Sequence, residues 1–341
     1  MYDGPALGGT PHGSSRSKQH SVCQPTNGVL MKFHIFMPGC VHTPPLTQPW
    51  ELSLTGPDVV RVAQAADRLG FESLLIPEHF VVGTHHADTT GTHFLDATTA
   101  QAVMAGATTR IKLGSMLTLL PLHNPVVMAK AICTLDWLSG GRAAMTVGLG
   151  WQEDEYRTLG VPWSGRGSRM DGYLGAMLEL WHSDSPRFDS EHISFADIVF
   201  EPKPVQRPHP PLWIGGDVDA TLRRAARFGD GWSPWLTPPA QIPEKLDRIR
   251  SCPEFDGRPF AVFFSLAALN IGLGGDGHYA RDEHSAGSPQ EQQRVIDDCG
   301  YLAKFGVTDT WVAPPPVSGI SEYLEHLQWV AECVAPALEG V

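Results

Sequence analysis

One feature constrains this chain more than any other. Between residues 32 and 334, short apolar runs alternate with longer segments whose apolar residues recur at helical spacing. Lys32 to Met37 reads as a strand, and Pro57 to Leu69, stopped by Gly70, reads as a helix. Strand and helix signals follow in turn at Ser73 to Ile76 and Asp96 to Ala107, Ile111 to Thr118 and Pro125 to Leu138, and Arg142 to Val147 and Arg166 to Trp181. The series continues through Leu212 to Ile214 and Asp217 to Phe228, and through Gly231 to Ser233 and Ala240 to Arg250. It ends with Pro259 to Leu269 and Pro289 to Phe305, then Thr310 to Val312 and Ser321 to Val334. Eight strands each followed by a helix select a parallel sheet with right-handed crossovers, and the count fits a closed (β/α)8 TIM barrel. The competitor is an open, doubly wound sheet. No GxGxxG follows the first strand, which counts against the dinucleotide-binding form of that fold.

The alternation breaks once. Between His192 and His209 the pattern passes through alternating apolar residues into Glu201-Pro202-Lys203-Pro204, an insertion between strands 4 and 5 that crosses the barrel surface. Residues 1–30, rich in Gly, Ser, Pro, His and Gln, lack both the basic start and the apolar run of a secretory signal and read as a disordered extension. Residues 31–341 then form one barrel domain, with Met31 a candidate functional start.

Charge and cysteine content narrow the partners. A formal charge of −12 disfavours nucleic acid, whose backbone is bound through clustered Lys and Arg. The longest apolar runs fall well short of the roughly 20 residues needed to cross a bilayer. Six scattered cysteines with no CxxC pair suggest reduced thiols and a cytoplasmic setting.

In a barrel of this kind, chemistry sits where strands end and loops begin. Glu78 and His79 follow the second strand and place a carboxylate and an imidazole at the mouth, the latter able to transfer a proton near neutral pH. The same pair could simply tie down the loop. After the third strand, Ser115 and Thr118 can offer hydroxyls to a ring edge while Leu117 packs the core; an ordinary strand leading through Pro121-Leu122-His123-Asn124-Pro125 into a proline-started helix gives the same pattern. Gly148-Leu149-Gly150-Trp151 lets backbone approach a flat ligand that the indole can cover. Gly215-Gly216-Asp217 reads as the start of a helix whose free N–H groups suit a phosphate, with Asp217 as cap. A glycine turn without a ligand looks no different. Arg166 and Arg169 are further phosphate candidates on the same face. His85, His86, Asp88 and His93 match no common ligand spacing, so no metal is expected.

Taken in order and spacing, several segments resemble the bacterial luciferase-like monooxygenase superfamily, and in particular its coenzyme F-420-dependent oxidoreductase branch. They are Leu69-Gly70-Phe71-Glu72-Ser73-Leu74-Leu75-Ile76-Pro77-Glu78-His79, Thr108-Thr109-Arg110-Ile111-Lys112-Leu113-Gly114, Asn124-Pro125 and Leu135-Asp136-Trp137-Leu138-Ser139-Gly140-Gly141-Arg142. Gly148-Leu149-Gly150-Trp151, Pro202-Lys203-Pro204-Val205-Gln206, Trp213-Ile214-Gly215-Gly216 and Gly229-Asp230-Gly231-Trp232 complete the set, which runs from about Met31 to Trp329.

The resemblance implies a luciferase-like barrel with the 5-deazaflavin F-420 in its mouth. The ring would lie near Glu78 and His79 and be lined by Ser115, Met116, Thr118, Gly150 and Trp151, with the phosphate near Gly215, Gly216 and Asp217. It also implies a non-proline cis peptide at Ser115-Met116. Glu78 stands where many deazaflavin-dependent members carry Asp. Trp151 stands where some sugar-phosphate dehydrogenases of the family carry a glutamate acid, so that reaction is not implied. The expected activity is hydride transfer between F-420 and a small-molecule substrate, with His79 and Glu78 as the catalytic pair. The alternatives are an FMN-dependent monooxygenase using reduced flavin and oxygen, and a flavin-binding protein without turnover. A second copy of the chain and a flavin or deazaflavin reductase are candidate partners. Substrate contacts are expected from loops such as Thr43 to Leu54 and His278 to Ser288.

Overall fold

The structure, a computed structural model, describes residues 31–44, 46–266 and 288–338. The segment before Met31, the end of the seventh strand signal beyond residue 266 and residues 278–287 of the loop that ends at Ser288 lie outside the described residues. Among the described residues, eight parallel staves close a ring. They are β1 (Lys32–Phe36), β2 (Ser73–Ile76), β3 (Lys112–Ser115, continued by Thr118–Leu119), β4 (Met145–Gly148), β5 (Leu212–Gly215), β6 (Gly231–Ser233), β7 (Ala261–Val262) and β8 (Asp309–Thr310). Two ladders, β8-β1-β2-β3 and β7-β6-β5-β4, run parallel throughout. They meet where Thr118–Leu119 pairs with β4 and where isolated parallel bridges join Leu113 to Ala143 and Phe263 to Asp309. The ring of described staves has no open edge, so the (β/α)8 expectation holds and the open sheet does not.

Eight main helices among the described residues wrap the ring: α1 (Gly56–Leu69), α2 (Ala97–Ala107), α3 (Pro125–Ser139), α4 (Arg166–His182), α5 (Asp219–Phe228), α6 (Ile242–Arg250), α7 (Pro289–Ala303) and α8 (Ile320–Trp329). Their ends follow local chemistry. Thr55 and Asp58 form a reciprocal cap for α1, and Gly70 stops it in the left-handed region at φ 84°. The side chain of Asn124 accepts from Val126 N and Val127 N to start α3. The last helix is shorter than the apolar pattern suggests, because a π turn at Val330–Val334 interrupts it before Ala335–Leu338.

Residues alternate along the staves. Phe33, Ile35, Leu74, Ile76, Leu212 and Ile214 face the helices in the large core, whereas Leu75, Phe263 and Trp311, with Phe36, Met116 and Trp213, fill the barrel itself. Buried side chains then tie helices and loops to the ring. Asp67 accepts from the amides of Thr109, Arg110 and Ile111, and Asp136 accepts from Val205 N, Gln206 N and Gln206 Nε2. Arg142 donates to Ala105 O, Thr108 O and Ile111 O. Several segments that carry the family resemblance are therefore scaffold clamps rather than parts of the mouth.

Three expectations need correction. The departure from alternation begins before His192, since an antiparallel hairpin, Phe188–Asp189 with Ser194–Phe195, follows α4 directly and packs Phe188 against Gly175. The non-proline cis peptide is Met116-Leu117, one residue after the expected Ser115-Met116. Met116 N still donates to Ile76 O at 2.9 Å, which holds the chain in the ladder with β2 through Met116, so it can turn only afterwards. Finally, α5 starts at Asp219 with Val218 as its cap residue, not at Asp217.

Candidate active site

The loops at the C-terminal ends of β2, β3 and β4 converge on two histidine–carboxylate pairs. Glu78, two residues past β2, is buried; its Oε2 accepts from Leu119 N at 2.8 Å and lies 2.9 Å from His123 Nε2. Its Oε1 is buried and has no hydrogen-bond partner among the described residues. Leaving a buried carboxylate oxygen unpaired is costly, so a donor at this position would be stabilising.

His79 is arranged the opposite way. Its Nδ1 lies 3.0 Å from Glu155 Oε2, on the short helix Glu153–Thr158 after β4, and the Glu155 side chain has no solvent exposure. Glu155 Oε1 accepts from Phe80 N at 2.6 Å, so one carboxylate fixes both the ring and the backbone of the β2 corner. The His79 ring stands edge-on to Phe94 at 4.8 Å and to Trp151 at 6.2 Å. Behind it, burial pushes the Tyr156 phenol up to about 12, and its OH donates to Leu149 O.

The other expected residues fall around the same mouth, with varied duties. Ser115 and Thr118 are buried; the Thr118 hydroxyl donates to Ser115 Oγ at 2.8 Å and the Ser115 hydroxyl donates to Thr146 O, bracketing the cis peptide. Met116 is half-buried above the barrel core and takes a contact from Ser233 Oγ. Leu117 presses on both Gly148 and Gly215, where an added Cβ would come within 2.6 Å of its methyl carbons. Gly150 sits in the left-handed region at φ 72° and turns the chain so that Trp151 is half-exposed. Phe80, Trp151, Trp235 and Leu236, from the loops after β2, β4 and β6, each expose apolar surface at this end of the barrel.

The glycine pair after β5 is less open than the sequence suggests. Gly216 N donates to Ser233 O, and Gly216 O accepts from Trp232 Nε1 at 2.7 Å. Asp217 does not cap α5. Its carboxylate accepts from Trp235 N, Leu236 N, Thr237 N and Thr237 Oγ1, and four donors from one loop outcompete the single bond that a cap would gain. Arg166 stacks on Trp163 with its Nε buried and unpartnered among the described residues, and the buried Arg169 donates to Pro162 O.

The histidines of the β2 loop disperse. His93 stacks on His42 at 4.1 Å, and burial, then the His93 charge, hold the His42 imidazole below its ordinary value. His85 pairs with Asp154, and His86 packs on Trp151. Among the described residues no group of three His, Cys, Asp or Glu could hold a metal ion. Nor is any described helix long and apolar enough to cross a membrane.

Sequence reasoning missed Glu155, Gln152, His123 and Phe94. The available signal was the acidic run Glu153-Asp154-Glu155 just after β4, but only the fold shows which of the three points inward.

The chain is similar to known proteins over most of its length. An uncharacterized protein of Mycobacterium tuberculosis is 33% identical over 291 residues, covering 80% of this chain and 93% of the relative. The FMNH(2)-dependent dimethylsulfone monooxygenase of Pseudomonas putida is 31% identical over 199 residues, 56% of this chain and 52% of that protein. The coenzyme F-420-dependent tetrahydromethanopterin reductase of Methanopyrus kandleri shares the fold with a TM-score of 0.64 at 16% identity, over 92% of this chain and 100% of that one. The model of the family described as luciferase-like monooxygenase matches residues 31–291, and with it the whole convergence of β2, β3 and β4: the chain belongs to the luciferase-like monooxygenase family.

Proposed function

We propose that this chain is an oxidoreductase that transfers a hydride between coenzyme F-420 and a small organic substrate. The observation that carries the reading is His79: one ring nitrogen is fixed against a buried carboxylate, which leaves the other to exchange a proton at the mouth. Hydride transfer needs such a group nearby, because each two-electron step on an alcohol or carbonyl also moves one proton.

Groups at the mouth would suit a phosphorylated tricyclic ring. Exposed aromatic and aliphatic groups (Phe80, Trp151, Trp235 and Leu236) offer flat apolar contact, and the unpartnered Glu78 Oε1 offers an acceptor for a ring N–H. Glu78 and His79 would hold the ring, with Ser115, Met116, Thr118, Gly150 and Trp151 shaping its bed. Gly215 and Gly216 would lie toward the phosphate with Arg166 and Arg169, and Asp217 would act by fixing the Trp235–Thr237 loop. Bound there, the deazaflavin supplies a ring carbon that gives or takes a hydride and reacts poorly with oxygen.

A second reading has its own support, since the Pseudomonas putida relative is an FMNH(2)-dependent monooxygenase. Titration with F-420 and FMN side by side, followed by cofactor fluorescence, separates the two. F-420 is expected to bind more tightly. FMN binding at least tenfold tighter would transfer the assignment to an oxygen-using monooxygenase.

A further inference from the structure

We propose that Glu155 is a positioning residue that locks His79 in the tautomer protonated on Nδ1, so that the neutral ring presents a lone pair on Nε2. The inference rests on the reading that His79 acts at the cofactor ring, and it specifies what His79 can do there.

His79 Nδ1 faces two groups of opposite kind. As an ionised carboxylate, Glu155 Oε2, 3.0 Å away, can only accept, and Gln152 Nε2, 3.3 Å away, can only donate. The orientation of the Gln152 amide is set independently, because its Oε1 accepts from Gly83 N at 3.1 Å, which turns the NH₂ end toward His79. Nδ1 therefore cannot satisfy both neighbours. With a proton on Nδ1, the imidazole donates to Glu155 and Gln152 loses one long, neutral bond. Without it, two lone pairs face each other at 3.0 Å, and a carboxylate with no solvent exposure is left with the Phe80 N–H as its one donor among the described groups. A buried, under-bonded charge costs far more than one neutral hydrogen bond, so Glu155 wins the competition.

The consequence concerns direction. Imidazole free in water favours the opposite tautomer, with the proton on Nε2. Held by Glu155, neutral His79 accepts at Nε2 and can take a proton from a donor in the mouth; it becomes a donor there only after it has been protonated. Glu155 does not touch the mouth and acts through His79.

The test reads the tautomer directly, in cofactor-free protein. Long-range ¹H–¹⁵N spectra of ¹⁵N-histidine-labelled protein, with His79 assigned by its loss in His79→Asn, are recorded where the ring is neutral. Wild type is expected to show Nδ1–H. Glu155→Gln keeps the shape but puts an amide donor opposite Nδ1, and should switch His79 to Nε2–H; Gln152→Ala should leave Nδ1–H unchanged. With F-420 bound, single-turnover reduction in Glu155→Gln should slow by roughly 10²-fold or more, the size of a lost acid–base contribution. An Nε2–H tautomer in wild type would overturn the proposal even if Glu155→Gln does not fold, and so would a folded Glu155→Gln that keeps Nδ1–H. Failure of F-420 to bind while wild type shows Nδ1–H would refute the cofactor reading and leave the role of Glu155 standing.

Discussion

The two ends of this barrel use the same chemistry to opposite purposes. At the N-terminal end, His34 Nδ1 lies 2.6 Å from Ser73 Oγ and its Nε2 lies 2.8 Å from Asp309 Oδ1, while Asp309 Oδ2 accepts from Thr308 Oγ1. All three of His34, Ser73 and Asp309 are buried, and Trp213 and Phe263 stand edge-on to the imidazole at 5.5 Å each. Both nitrogens of that histidine are engaged. At the C-terminal end, two histidine–carboxylate pairs are each left incomplete: Glu78 keeps an unpartnered oxygen, and His79 has one nitrogen held. Residue type does not distinguish the two ends here. Leftover hydrogen-bonding capacity does, because a closed network can only stabilise whereas an open one can receive something.

If that contrast is right, a change at the open end should remove chemistry and leave stability. His79→Asn is the sharpest form, since its amide NH₂ can take the place of Nδ1 opposite Glu155 while Nε2 is deleted. Turnover with F-420 is expected to fall by roughly 10² to 10⁴ with little change in melting temperature. His79→Ala is a poorer probe, because it strands the fully buried Glu155 carboxylate. Near-normal turnover in His79→Asn would make the mouth pair scaffold too, and the comparison would collapse.

The closed end should respond in the reverse sense. Asp309→Ala removes one partner of a buried network and should cost about 3–5 kcal/mol of unfolding free energy, read by denaturant titration. A loss below about 1 kcal/mol would mean that the N-terminal layer is not holding the ring together.

How far these two ends could be read from sequence differs for a physical reason. Strand and helix positions were legible because burial imposes a period on consecutive residues, and Ser73–Ile76 and Gly231–Ser233 match the structure residue for residue. The residues of the β2 corner were legible from their place after an apolar run. The pairing of His34 with Asp309 was not, because the partners lie 275 residues apart and neither strand marks them as neighbours. Asp217 was misread for the same reason: a local capping rule was outweighed by a loop 18 to 20 residues downstream. The break at Met116-Leu117 does not show in the apolar pattern, which reads as one continuous strand from Ile111 to Thr118, and the family resemblance placed it one residue early.

Between the two ends, Leu117 marks where scaffold becomes mouth. Gly215→Ala would bring a methyl within 2.6 Å of a Leu117 methyl carbon, so it should cost about 1–3 kcal/mol through overpacking. Leu117→Ala added to it should recover part of that loss, which a double-mutant cycle on unfolding free energies would show as coupling. Independent, additive effects would mean that Gly215 is not shaped by this contact and would return weight to a direct role in approaching a ligand.

The smallest expected change in stability comes from an exposed residue of the open end. Trp151 is half-exposed, and the ring contacts it makes are edge-on, to His79 and His86, so it contributes little to the core. Trp151→Ala should therefore shift unfolding free energy by no more than about 0.5 kcal/mol, as for surface positions generally. Trp232 provides the contrast, being fully buried with its Nε1 donating to Gly216 O, and Trp232→Ala should cost about 3–5 kcal/mol. If the exposed indole exists to cover a flat ring, its loss should weaken F-420 binding by about 0.5–1.5 kcal/mol, roughly 2- to 13-fold, through lost aromatic contact. Measured by fluorescence titration, unchanged affinity in a stable Trp151→Ala variant would take the rim out of cofactor binding and leave its exposed apolar surface to the substrate. A large stability loss would show instead that the open end is held together by its own rim, and the division between the two ends would have to be drawn deeper in the barrel.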